Sequence, residues 1–186
     1  MRLFIALPLP KEVEEELGRI IFALKQKGPR IKWVTPKNVH LTVKFLGETP
    51  EKQVEAITDA VRQTAAGHTV ITCATGGLGA FPNLKRPRVY WVGLTGQIDR
   101  LQAIARDMDE HTARLGFERE NRPFKPHLTL GRVRESYGLD DLAAYIENYE
   151  FTPQPVILDR LVLFKSTLTP RGPIYDRLCE SPLATP

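Results

Sequence analysis

Hydrophobic and polar positions along the chain follow two periods in alternation, one of strands and one of helices. Residues 2–7 form an apolar run that reads as a first strand, closed by Pro8 and Pro10. Over residues 11–27, Val13, Leu17, Ile20, Ile21 and Leu24 recur at helical spacing, and Gly28 and Pro29 stop the predicted helix. Residues 31–34 make a short strand. Residues 39–46 alternate strictly, with Val39, Leu41, Val43 and Phe45 as the inward set and His40, Thr42 and Lys44 on the opposite face; Gly47 ends the run. A helix over residues 51–65 gathers Val54, Ile57, Ala60 and Val61 on one side. Strands are then expected at residues 69–75 and 88–94, around a Gly- and Pro-rich loop at residues 76–87.

The second half repeats this order. A helix is predicted over residues 98–115, with Leu101, Ile104, Ala105 and Met108 on one face, then a strand at 126–133 and a short helix at 140–147. Strands at 156–165 and 174–178 follow, joined through Pro170 and Gly172. No Ser/Gly-rich linker parts the halves. The pattern therefore predicts a single α+β domain over residues 1–186, with two pseudo-equivalent lobes (roughly 1–93 and 94–186) whose sheets face a shared groove.

Composition narrows this picture without redirecting it. At 42% hydrophobic and 26% charged, the chain is ordinary for a globular protein, and it contains no 18-residue apolar run that could span a membrane. The N-terminal apolar stretch turns acidic too soon for a signal peptide. Cys73 and Cys179 form no disulfide framework or zinc spacing, which fits a reducing cytoplasm. The net charge of +4 permits a polyanionic ligand without requiring one. Positive charge concentrates at residues 83–88, 118–125 and 131–134, although runs of this kind commonly mark solvated surface.

The chemistry resides in a repeated tetrad. His40-Leu41-Thr42-Val43 and His127-Leu128-Thr129-Leu130 lie nearly half the chain apart, at corresponding places in the two halves. Composition alone gives such a coincidence a probability of about 0.04. His68 and His111 lack the pattern and read as surface or helix-end residues. Period two puts His and Thr side by side on one strand face, so two such strands across a groove would bring together two imidazoles and two hydroxyls. Histidine titrates near neutrality, so the pair can supply one base and one acid at the same pH, while Thr hydroxyls can donate to phosphate oxygens. Two imidazoles with no carboxylate or thiol at a suggestive offset argue against a metal site. The expected chemistry is metal-free acid/base catalysis on a phosphodiester. Phe45, Phe81, Trp33 and Phe124 are candidates for stacking on a base, although Phe45 alternates onto the apolar face and reads more readily as core.

At these residues the sequence resembles the two-histidine phosphoesterases, and within them the bacterial and archaeal RNA 2′,3′-cyclic phosphodiesterases, historically called 2′-5′ RNA ligases. The likeness includes Met1-Arg2-Leu3-Phe4-Ile5-Ala6, Trp33-Val34 and the run from His40 to Glu48. It continues through Phe81-Pro82-Asn83, Arg86-Pro87-Arg88-Val89-Tyr90-Trp91, the run from Pro126 to Arg132, and the tail from Ser166 to Tyr175. The resemblance implies a bilobal α+β fold, a pseudo-twofold sandwich of two antiparallel sheets lining a central groove with helices outside. It implies hydrolysis of an RNA terminal 2′,3′-cyclic phosphate to a 2′-phosphate, with no cofactor and no metal. It further implies His40 as proton donor, His127 as acceptor, and Thr42, Thr129 and Arg132 as phosphate-binding residues. Arg132 is an odd number of residues from His127, so a flat strand would point it away; a bulge or a strand end at Gly131 would turn it inward. The implied partners are RNA ends, with tRNA fragments as candidates, and a cytoplasmic monomer is expected.

The residues admit other readings. The same site could act on a 2′-5′ oligonucleotide, a cyclic nucleotide or ADP-ribose 1″,2″-cyclic phosphate. The basic clusters could serve an RNA-end binding module that needs no turnover. Both motifs could also be coincidence in a structural protein.

Overall fold

The computed structural model describes residues 1–28, 31–135 and 137–185 of the chain. Strand β1 (Arg2–Pro8) is apolar on both faces because it lies inside a sheet covered on both sides. It pairs antiparallel with β3 (His40–Glu48) and β8 (Arg160–Thr169), and β8 pairs with β9 (Gly172–Pro182), giving the order β3-β1-β8-β9. The other sheet has the order β2-β6-β5-β4-β7, formed by β2 (Ile31–Trp33), β4 (Ile71–Phe81), β5 (Val89–Gly96), β6 (His127–Val133) and β7 (Pro155–Leu158). All pairs are antiparallel, and each sheet takes strands from both halves of the chain; the boundary near residue 93 falls inside β5.

Helix α1 (Lys11–Lys25) buries Val13, Leu17, Ile20, Ile21 and Leu24, the face read from the sequence, and its first turn is acidic while its last carries Lys25. Pro29, expected to help stop it, lies outside the described residues. Helices α2 (Val54–Ala66), preceded by a 3-10 turn at Glu51–Gln53, and α3 (Ile98–Arg114) pack against each other. His68 and His111 lie at the ends of these helices as expected, but they join elements rather than point into solvent: His68 Nε2 is 2.7 Å from Asp107 Oδ2, and His111 Nδ1 is 2.7 Å from Thr64 Oγ1. Helix α4 (Asp140–Glu147) has the bounds the periodicity predicts. One large core joins the helices to the sheets, and a second, smaller cluster of Phe4, Ala6, Val162 and Phe164 covers the other face of the four-stranded sheet.

Three expectations are corrected. The glycine-rich stretch expected as a loop from residue 76 continues β4 to Phe81. Glycine is required there because a Cβ on Gly79 would lie 2.4 Å from the Trp91 ring, and Gly77 takes φ +87° where the ladder with β5 slips by a residue. The strand expected over residues 156–165 is two strands that part at Asp159 and enter different sheets. On β3 the strict alternation breaks: Lys44 is buried, 3% exposed, and Phe45 is 59% exposed. Thr42 pairs with Ala6 and Lys44 with Ile5, so Val43 is an extra residue that inverts the facing of Lys44 and Phe45, before a second slip at Leu46.

Candidate active site

Each motif histidine is the first residue of its strand, held by the carbonyl two residues earlier. His40 Nδ1 is 2.8 Å from Asn38 O, and His127 Nδ1 is 2.7 Å from Lys125 O. A carbonyl only accepts, so Nδ1 carries the hydrogen and Nε2 is the free nitrogen in both rings. Asn38 lies in a 3-10 turn (Pro36–Asn38), and its side-chain amide donates to Pro173 O at 3.1 Å, fixing the His40 support to the start of β9. Strands β3 and β6 belong to different sheets, yet bring Cα atoms within 8 Å of each other. Leu41, Val43, Leu128 and Leu130 all enter the large core, which leaves His40, Thr42, His127 and Thr129 on the groove faces, half-buried. Among the described residues neither threonine hydroxyl makes a hydrogen bond to protein, so both can donate to a ligand.

The two motifs carry a bulge at the same offset. On β6, Trp91 pairs with Thr129 and Tyr90 with Gly131, so Leu130 is the extra residue, as Val43 is on β3. Each extra residue stands three positions after its histidine, and each returns the fifth residue after the histidine to the histidine's face. Arg132, opposite Val89, therefore shares a face with Thr129 and His127, and the odd-number difficulty raised by the sequence disappears. The bulge is at Leu130, one residue before the expected Gly131. Gly131 serves another need: a Cβ there would sit 2.8 Å from Ile31 and Trp33 side-chain atoms. On β3 the corresponding position is Phe45, whose ring lies 6.2 Å from that of Phe4.

The histidine surroundings differ. His40 stacks on Phe4 at 4.8 Å and 25°, meets Tyr175 edge-on at 5.5 Å, and lies 6.1 Å from Phe164. A recess of about 300 Å³ opens beside it, lined in part by Asn38, Phe164, Tyr175 and Arg177. Burial pushes His40 down to about 4, with the Asn38 carbonyl bond acting in the opposite direction. His127 meets one aromatic ring, Phe81, edge-on at 5.0 Å. Phe81 lies 5.1 Å from Trp91, and Trp91 lies over Gly79. Burial also pushes the Tyr175 phenol up, while the charges of Arg132 and Arg2 act against it, so cations from both sheets lie around Tyr175.

Of the stacking candidates, Phe81 lies against His127, and Phe45 lies beside Phe4, whose ring stacks on His40. Trp33 stacks on Tyr90 and packs on Gly131, on the core side, and Phe124 packs against the large core. The sequence reading missed Phe4 and Phe164; the clue was the uninterrupted apolar run of β1, which no one-faced strand would need. Lys44, expected on the groove face, instead donates to Asp109 Oδ1 and Glu118 O, both at 2.6 Å, and Asp109 Oδ1 also accepts from Glu120 N. Among the described residues no group of three or more His, Cys, Asp or Glu side chains is placed to hold a metal ion, and no helix is long and apolar enough to cross a membrane.

Comparison with known proteins agrees with this geometry. The family model described as LigT like Phosphoesterase matches the chain twice, over residues 7–91 and 92–175. An RNA 2′,3′-cyclic phosphodiesterase of Thermotoga maritima is 36% identical over 97% of this chain and 94% of its own length. One from Methanocaldococcus jannaschii is 37% identical over 97% of this chain and 99% of its own. Among solved structures, a Thermus thermophilus protein superimposes with a TM-score of 0.82 at 26% identity, covering 100% of this chain and 99% of the other. E. coli LigT complexed with 3′-AMP does so with a TM-score of 0.76 at 25% identity, covering 99% and 98%.

Proposed function

The chain belongs to the LigT-like phosphoesterase family of two-histidine phosphoesterases, and on that premise we propose that it hydrolyses an RNA terminal 2′,3′-cyclic phosphate to a 2′-phosphate, without a metal. The observation that carries this reading is the matched pair of tethered imidazoles, each with Nδ1 bonded to the backbone carbonyl two residues before it and, among the described residues, Nε2 without a protein partner. His127 Nε2 takes a proton from water, the water oxygen attacks phosphorus, the bond to O3′ breaks, and His40 delivers a proton to O3′. The phosphate stays on O2′. Thr42, Thr129 and Arg132 donate to the non-bridging oxygens as charge develops there.

Burial holds His40 neutral at pH 7, which a proton donor is not. The substrate resolves this. A phosphate anion beside the ring offsets the desolvation that disfavours the imidazolium, so His40 takes up its proton as the cyclic phosphate enters. An RNA 5′-hydroxyl in place of water gives a 2′-5′ linkage by the same in-line step and needs no ATP. Hydrolysis dominates because a second RNA end must be positioned at an entropic cost. We read residues 1–186 as one bilobal domain of two repeated halves, a cytoplasmic monomer acting on RNA ends, with tRNA fragments as candidate substrates.

The test is incubation of the purified protein, in EDTA, with RNA ending in a 2′,3′-cyclic phosphate. The expected product is a 2′-phosphate, and its rate falls by about 10²–10⁴ in both His40→Ala and His127→Ala. Activity lost in EDTA and restored by zinc would overturn the metal-free step, and a wild-type rate in either variant would overturn the pair.

A further inference from the structure

Arg132 does not stand alone on its face. In the pairing of β2 with β6, Lys32 lies directly opposite Arg132, while its neighbours Ile31 and Trp33 pack against Gly131 on the core side. Directly paired residues share a face, so Lys32 joins Arg132, Thr129 and His127 on the groove side. Both cations are exposed, and among the described residues no carboxylate lies within ion-pair distance of either. Like charges set opposite each other weaken an antiparallel pair unless an anion lies between or beside them.

The position matters as much as the charge. His127 and Arg132 are five residues apart on a strand that rises about 3.3 Å per residue, a separation on the order of 15 Å. The charge of Arg132 acts on Tyr175, the residue in contact with His40. Lys32 stands on the edge strand β2, one strand further out than Arg132.

We propose that Lys32, beside Arg132, holds an internal phosphodiester of the RNA strand upstream of the cyclic end, so that the site favours oligonucleotide ends over mononucleotides. This rests on the hydrolase reading for its substrate, but its test does not need turnover. Lys32→Glu and Lys32→Arg are compared with wild type in two measurements: binding of a labelled RNA decamer ending in a 3′-phosphate, across a salt series, and kcat/KM for the decamer and for a mononucleoside, both bearing 2′,3′-cyclic phosphates. Lys32→Glu is expected to weaken decamer binding and decamer kcat/KM several-fold and to leave the mononucleotide kcat/KM unchanged. The log–log salt slope for the decamer should fall by about 0.7, the contribution of one single-strand phosphate contact. Lys32→Arg should restore both. Unaltered decamer binding in Lys32→Glu, or an equal loss on both substrates, overturns the assignment. If wild type turns over neither substrate while Lys32→Glu still weakens decamer binding with the lower slope, the hydrolase reading falls and the phosphodiester site stands.

Discussion

Among the described residues, the His40 imidazole lies against three aromatic rings from three strands, Phe4, Phe164 and Tyr175, whereas His127 meets only Phe81, edge-on. Both rings are tied through Nδ1 to the carbonyl two residues before them, and both strands bulge three residues after them. The repeated motif thus fixes tautomer and strand geometry twice, while burial among its neighbouring rings lowers the proton affinity of His40. On the proposed mechanism a desolvated His40 charges when the substrate's anion arrives. Arg132 and Phe45, at matched offsets, differ in kind: an exposed cation on one side and an exposed aromatic ring on the other, chemistry suited to phosphate and base respectively.

The comparison can be broken most severely through Lys44. Its ammonium fixes the 118–120 segment to β3 and α3, and that segment leads to Lys125, whose carbonyl holds His127. Removing one partner of such a buried pair costs about 3–5 kcal/mol. Lys44→Ala should show this loss in urea unfolding. In conditions where it stays folded, kcat should drop while the His40 ring contacts persist in NMR. A loss below about 1 kcal/mol would show the pair to be solvent-screened.

A smaller perturbation touches only the His127 side. In Gly79→Val the new Cβ meets the Trp91 ring at 2.4 Å, and Trp91 in turn supports Phe81 against His127. Overpacking of this kind costs about 1–3 kcal/mol. The expected result is a lower Tm, a reduced kcat and an unshifted His40 resonance; a change at His40 equal to that at His127 would deny the separation of the two sites.

A third effect lies in the pH dependence of stability. An unfolded histidine titrates near 6.5 and folded His40 at about 4. Between these values the unfolded chain binds more protons, so stability rises with pH across that window and is lost as pH falls through it. His40→Asn should flatten this part of the stability profile, as read from denaturation midpoints between pH 4 and 7. An unchanged slope would mean that His40 is hydrated.

Much of this was legible in the sequence. Period-two alternation placed His40, Thr42, His127 and Thr129 on their faces, and helical spacing gave the buried sides of α1, α2 and α3. The bulges were not legible, because an extra residue leaves the hydrophobic string intact and only inverts its facing. Hence Lys44 and Phe45 were assigned to each other's sides, and Arg132 needed a bulge that the sequence placed one residue late. The glycines of β4 were read as a turn since nothing local announces that Trp91 will lie on Gly79. The aromatic enclosure of His40 draws on residues 4, 164 and 175, which meet only because β8 and β9 join β1 in one sheet.

The central claim is that His40 rests neutral and charges when phosphate arrives, and the most direct test is an NMR titration of both imidazoles with and without 3′-AMP. The account predicts an empty-site His40 that stays neutral down to about pH 4 and a clear upward shift of its titration once the nucleotide phosphate is bound. A His40 that titrates near 6.5 in the empty protein, or one unmoved by the bound phosphate, would contradict it.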